Sequence, residues 1–137
     1  MIISDNDAAK RDLLQAARVI AVVGHSDNPE RTSYQIAQYL RRAGYTVYPV
    51  NPLVQEIDGQ KSYASLAEVP EPIDIVDVFR RSENLPEIVT EAIAVGAKAV
   101  WAQLGVADEA AAAQASAAGV AVVMDQCIKI EHARLLH

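Results

Sequence analysis

The amino-acid sequence predicts a single doubly wound α/β domain over residues 1–137, with about five parallel strands and helices on both faces. Three observations carry that expectation. Apolar runs rich in β-branched residues recur at 19–23, 73–79 and 120–124, with weaker ones at 46–50 and 98–102. Four of the five are followed by a segment of helical period about 11 residues long. The runs are also apolar almost throughout, as strands covered on both faces must be.

In chain order, helical spacing first appears over 8–17. The run 19–23 then breaks at Gly24. In 32–43, Ile36, Leu40 and Ala43 fall on one helix face, Thr32 with Gln35 predicts a capping box, and Gly44 marks the stop. The run 46–50 ends in Asn51-Pro52. The stretch 53–72 carries Pro70, Pro72 and an Asp58-Gly59 turn, so only a short strand or helical turn is expected there. Helix 85–95 follows the third strand and closes at Gly96. The alanine-rich 108–118 is read as helix, because alanine is the best helix former and Gly119 closes it. A last strand at 120–124 leads into helix 128–135. No internal repeat is visible.

Composition narrows the function. With 51% hydrophobic and 22% charged residues the chain is globular in character. Twelve basic against eighteen acidic side chains give a net charge of −6, which argues against coating nucleic acid or an anionic membrane. No run approaches the about 20 apolar residues of a membrane helix, and residues 1–10 lack a secretory pattern, so a cytoplasmic location is expected. The single cysteine, Cys127, excludes an internal disulfide and a cysteine-based zinc cluster. No His/Asp/Glu cluster has metal-ligand spacing.

In a doubly wound sheet, ligands bind beyond the carboxyl ends of the strands. The first strand is followed by Gly24-His25-Ser26-Asp27-Asn28-Pro29-Glu30-Arg31, about eight residues where two to six are usual. This loop leads into a helix N-terminus, where free N–H groups favour an anion, and Gly24 lets a phosphate approach. The fingerprint is partial: G-x-G-x-x-G would need glycine at 26 and 29, where Ser26 and Pro29 stand. Asn51 occupies the place where nicotinamide-binding domains carry an acid for the ribose, so ordinary NAD binding is disfavoured. Arg80 and Arg81 form the strongest single signal. Two adjacent guanidinium groups at a buried strand's end, in an acidic protein, suit phosphate oxygens. Side-chain alternation predicts that one faces the crevice and the other is structural; a solvated pair neutralised by Glu83 and Glu87 is the competing reading. Trp101 is expected in the core. Cys127 and His132 resemble a nucleophile and base, but lack a third orienting group; His132 is expected in a helix-face network with Glu131 and Arg134.

Several motifs, in order and spacing, resemble the family of small stand-alone CoA-binding proteins. They are Val22-Val23-Gly24-His25-Ser26, Pro29-x-Arg31-x-Ser33-Tyr34, Val50-Asn51-Pro52, Asp74-x-Val76-Asp77-Val78-Phe79-Arg80-Arg81, Gln103-x-Gly105 and Met124-Asp125-x-Cys127-Ile128-Lys129. That family is similar to the CoA-binding domain of the succinyl-CoA synthetase α subunit, and the resemblance runs from about Asp12 to Leu135. It implies a Rossmann-like fold with coenzyme A or an acyl-CoA as ligand. Carried onto this sequence, Gly24, Ser26, Arg31 and Ser33 line the phosphate end. Asn51 and Pro52 flank the adenosine, with Val78, Phe79, Arg80 and Arg81 along its other side, and Gln103 and Gly105 border the pantetheine path. His25 and Thr32 depart from the family pattern. In the synthetases the phosphorylated histidine lies in a second domain, and His25, His132 and His137 stand in no equivalent motif. The expectation is therefore a binding protein without catalytic machinery, with small-molecule CoA as partner and a homodimer or protein partner left open. The competing readings are an NAD(H)- or nucleotide-sensing module, a non-catalytic subunit of an acyl-CoA ligase, and an acyl-transfer enzyme using Cys127 and His132.

Overall fold

The computed structural model describes residues 1–136. In its first half the elements are α1 (Asp7–Ala16), β1 (Val19–Val23), α2 (Thr32–Arg42), β2 (Thr46–Val50) and a hairpin of β3 (Glu56–Ile57) and β4 (Gln60–Lys61). Then come β5 (Ile75–Val78), α3 (Leu85–Ala94), β6 (Ala99–Ala102), α4 (Glu109–Ala117), β7 (Ala121–Val123) and α5 (Ile128–Leu135). The main sheet has the order β2-β1-β5-β6-β7, with every neighbouring pair parallel. This is a Rossmann-like α/β domain. Chain direction across the sheet reverses between β1 and β5, which makes their carboxyl ends the topological switch point.

Alternation along each strand divides the core into two layers. Ala21, Val23, Val76, Val78, Val100 and Ala102 turn toward α3 and α4, where Ile88, Val89, Ala111 and Ala115 meet them. Ile20, Val22, Ile75 and Trp101 turn to the other face, against Leu14 of α1, Ile36 and Leu40 of α2, and Ile128 of α5. Trp101 is fully buried, as expected, and its indole N–H donates to the Gln126 carbonyl at 2.9 Å. Glycines follow α2, α3 and α4 with positive φ, so the helix stops legible in the sequence are real.

Residue for residue, β1, β2 and α5 lie where the sequence places them. Elsewhere the differences have local causes. β5 begins at Ile75, directly after Asp74, whose carboxylate accepts hydrogen bonds from the N–H groups of Arg18 and Val19 at 2.8 and 2.9 Å. The predicted capping box does not form. Arg31, not Thr32, is the N-cap of α2, and Gln35 instead donates to the carbonyls of Pro29 and Glu30. The irregular stretch 53–72 holds the β3–β4 hairpin, turned through Asp58 and Gly59 with φ of 51° and 81°, and a short 3-10 turn at Leu66–Glu68. Tyr34 bonds to Asp58, and Arg41 to Gln60 at 3.0 Å, so the hairpin is fastened to α2.

The N-terminal residues gave no signal in the sequence, yet they finish the sheet. Ile2 bridges Val122 in parallel, and the N–H of Ile3 donates to the Val122 carbonyl at 2.8 Å, which covers the outer edge of β7. Lys10 is buried beneath them, held by Glu131 at 2.7 Å and Asp7 at 3.4 Å. Among the described residues no helix is long and apolar enough to cross a membrane.

Candidate functional site at the switch point

Gly24 ends β1 with φ of 87°, and its N–H donates to the Val50 carbonyl at 2.9 Å. A Cβ at this position would fall on the backbone carbonyl oxygen of Phe79, with Arg80 Nε at 3.4 Å. Two constraints therefore demand glycine here: the left-handed backbone, and close approach of the chain leaving β1 to the chain leaving β5. That approach forms the floor of the crevice.

The loop after Gly24 is braced from within. Ser26 Oγ accepts from Asn28 N at 3.0 Å, Asn28 Oδ1 accepts from Glu30 N at 3.0 Å, and Ser33 Oγ accepts from Ser26 N at 2.9 Å. Asn51 ties the loop to β2, donating from Nδ2 to the His25 carbonyl and accepting on Oδ1 from Leu53 N, both at 3.0 Å. Its side chain thus positions two loops. Both serine hydroxyls act as acceptors in these contacts, which leaves each O–H hydrogen available to donate outward. Arg31 caps α2 with backbone only and makes no side-chain cap bond, so the first-turn N–H groups of α2 face the crevice without a side-chain acceptor.

Three hollows meet around Phe79 and Arg80. The first, about 460 Å³, is lined by Gly24, Ser26, Arg31, Ser33, Asn51 and Phe79. The second, about 260 Å³, lies on the α3 side between Val23, Val50, Pro52, Leu66, Arg80 and Ile88. The third, about 700 Å³ and the most open, runs past Phe79, Arg80, Arg81, Gln103, Leu104 and Gly105. Of the twelve site residues expected from the sequence, eleven line this crescent. Val78 does not; it is fully buried in the layer beneath, facing the α3 side.

The two arginines differ in exposure, but both border the third hollow, so the expected division into one crevice-facing and one structural arginine does not appear. Arg80 is half-buried, lines two of the hollows, and has no hydrogen-bond or ion-pair partner among the described residues. Arg81 is exposed, with a loose 3.6 Å pair to Glu83. Gln103 is more structural than its place on the rim suggests: it is 5% exposed, and its Oε1 accepts from Ile128 N at 3.2 Å, at the start of α5. Gly105 is held by two residues to which the sequence assigns no site role. Asp125, at φ of 58°, accepts the Gly105 N–H at 2.7 Å, and Ser82 donates to the Gly105 carbonyl at 3.2 Å. Contacts across 20 and 23 residues leave no local pattern to read.

His25 and Asp77 are buried polar groups on or below this floor. His25 is fully buried, its Nδ1 lies 2.8 Å from the Ser26 carbonyl, and its ring meets Tyr34 edge-on. Because that neighbour is an acceptor, Nδ1 carries the proton and Nε2 is left without a partner among the described residues. Burial lowers the imidazole pKa to about 4, so His25 is neutral. Asp77 sits fully buried in the middle of β5, with neither carboxyl oxygen hydrogen-bonded to a described residue. Burial holds its pKa well above the usual carboxylate range and favours the neutral acid.

No hydrogen bond joins Cys127 and His132. Cys127 is a buried N-cap of α5, whereas His132 bonds through Nδ1 to the Tyr39 hydroxyl at 2.8 Å and packs edge-on against Tyr39 and Tyr45. The expected network of His132 with Glu131 and Arg134 is therefore divided: Glu131 and Arg134 pair with Lys10 and Asp7.

The family described as "CoA binding domain" matches residues 18–133. The chain belongs to the CoA binding domain family. An uncharacterized protein of Bacillus subtilis (strain 168), YneT, is 46% identical over 123 residues, covering 90% of this chain and 91% of that protein. A hypothetical protein from Pyrococcus horikoshii OT3 has the same fold at a TM-score of 0.94 and 38% identity, over 100% of this chain and 97% of that one. The α subunit of the ADP-forming acetate–CoA ligase II of Pyrococcus furiosus is 32% identical over 84 residues, 61% of this chain. Those residues are only 18% of the ligase subunit. This CoA binding domain thus resembles both free-standing small proteins and one part of a much longer ligase chain.

Proposed function

We propose that this protein binds coenzyme A or an acyl-CoA along the crescent at the carboxyl edge of the sheet, and supplies no catalytic group of its own. The observation that carries this reading is the α2 N-terminus, left without a side-chain cap directly beside the Gly24–Phe79 contact of a CoA binding domain. The pyrophosphate lies at that N-terminus, within reach of the Ser26 and Ser33 hydroxyls and Arg31. The adenosine lies between Asn51-Pro52 and Phe79-Arg80, and the pantetheine runs past Gln103 and Gly105 toward solvent. CoA carries about four negative charges, and the dipole end with Arg31 and Arg80 opposes them in an otherwise acidic protein.

A thermal-shift panel with CoA, acetyl-CoA, dephospho-CoA, NAD and ATP tests the proposal. Ligand at 100 times its dissociation constant adds about 2.7 kcal/mol, a rise of several degrees for a domain of this size. A rise with CoA that shrinks with dephospho-CoA is expected; a rise with NAD alone overturns the reading. A second reading, a CoA-presenting module working beside separate ligase subunits, is favoured by the partial match to the longer ligase chain. Recovery of a nucleotide-binding partner with tagged protein supports it, and recovery of the protein alone counts against it.

A further inference from the structure

The hollow on the α3 side contains an arrangement that binding of phosphates does not explain. One wall carries Arg80, and α3 contributes Glu87 and Glu91, one helical turn apart. None of the three side chains has a hydrogen-bond partner or an ion pair among the described residues, although all border the same 260 Å³. Opposite charges around one small space that do not close on each other leave a gap for something between them. The floor of that gap is apolar, made by Val23, Val50 and Ile88. Its volume is slightly below the range typical for a whole ligand and suits one ring system of a longer one. Two carboxylates also exclude a phosphate from this end. A group that fits all these conditions is flat and apolar on its faces, donates hydrogen bonds from one edge, and carries its negative charge on the side nearer Arg80.

We infer that Glu87 and Glu91 read the exocyclic amine of the adenine ring of CoA in this hollow, and so select the base of the ligand. The inference rests on the CoA reading above and adds to it two specificity-determining residues on α3. Adenine presents its 6-amino hydrogens as donors, and ionised carboxylates are acceptor-only partners for them. The ring lies on Val23, Val50 and Ile88, with Pro52 at its rim, while Arg80 meets the phosphate-bearing end.

Calorimetric titration with two probes tests this. One is CoA; the other is the CoA analogue with unsubstituted purine in place of adenine, which keeps ring and phosphates but lacks the amino group. Wild-type protein is expected to prefer CoA by about tenfold, the worth of one hydrogen bond to a charged group. The double variant Glu87→Ala/Glu91→Ala is expected to bind both probes equally. Both positions are on an exposed or half-exposed helix surface, where alanine favours the helix, so folding is preserved. Absolute affinity also changes when two negative charges leave the site, which makes the ratio of the two affinities the informative readout. Equal affinity in the wild type, or a preference that survives in the double variant, overturns the inference while leaving CoA binding intact. Failure of wild-type protein to bind CoA at all overturns both.

Discussion

Helices α2, α4 and α5 each start at the carboxyl edge of the sheet, after a buried strand, yet their N-termini are finished differently. At α4, Asp108 is the N-cap and its carboxylate accepts the Ala111 N–H at 2.9 Å. At α5, the Gln103 carboxamide reaches across from the end of β6 to take the Ile128 N–H. At α2 the N-cap is Arg31, which places a cation where an acceptor normally stands and leaves the first-turn amides without a side-chain partner. Position at the sheet edge is shared by all three. In the proposed reading the α2 end takes an anion because the chain supplies no side-chain acceptor there, whereas α4 and α5 have one built in.

That contrast can be broken or sharpened by experiment. The largest effect is expected from Gly24→Ala, which puts a methyl group onto the Phe79 carbonyl and a side chain at φ of 87°. A loss of about 3 kcal/mol in urea unfolding, together with loss of CoA binding, is the expected result.

Acid should act next, through the loop that only α2 possesses. Burial depresses the His25 pKa from 6.5 to about 4, below its value in the unfolded chain. Stability from this group is therefore fully present above about pH 6.5 and is lost as pH falls toward 4, by about 3 kcal/mol at most. Urea midpoints measured across that window should fall in the wild type and fall less in His25→Leu; identical slopes would contradict the assignment.

Arg31→Asp gives α2 the kind of cap that α4 has. It is expected to weaken CoA binding about thirtyfold while raising stability by about 1 kcal/mol, and unchanged affinity would remove α2 from the site. Arg80→Ala should weaken CoA by about tenfold and Arg81→Ala by less than about threefold, measured by calorimetry. Unchanged affinity in both variants and in the double variant would sink the arginine assignment. The smallest change comes at the closed end: Asp108→Ala is expected to lower stability by about 1 kcal/mol with CoA affinity unaltered.

How much of this was legible beforehand follows the range of the interactions. β1 and β2 lie to the residue where the sequence places them because apolar runs and their glycine or proline boundaries are local signals. Gly24 and Arg80 stand out in the sequence as candidate site residues because both follow buried strands. The roles of Asn51 and Gln103 were harder to see. Their side chains spend their hydrogen bonds on His25, Leu53 and Ile128, so they shape neighbouring segments, and a sequence motif does not distinguish a residue that touches ligand from one that positions its neighbours. The hold of Asp125 and Ser82 on Gly105 and the pairing of the N-terminal Ile2–Ile3 edge are not legible in the sequence, because each acts on residues 20 or more positions away.

Taken alone, the sequence determined the alternation of buried strands and helices, the parallel sheet that this alternation requires, and the set of loops at its carboxyl edge. These follow from hydrophobic period and from backbone chemistry at glycine and proline, which act within a few residues. Only the tertiary structure decided which loops touch. It brought Gly24 against Phe79, turned Arg80 inward and Arg81 outward, placed Glu87 and Glu91 across a hollow from Arg80, and left α2 open where α4 and α5 are closed. Those outcomes depend on the packing of side chains from segments far apart in the chain, and no local pattern encodes them.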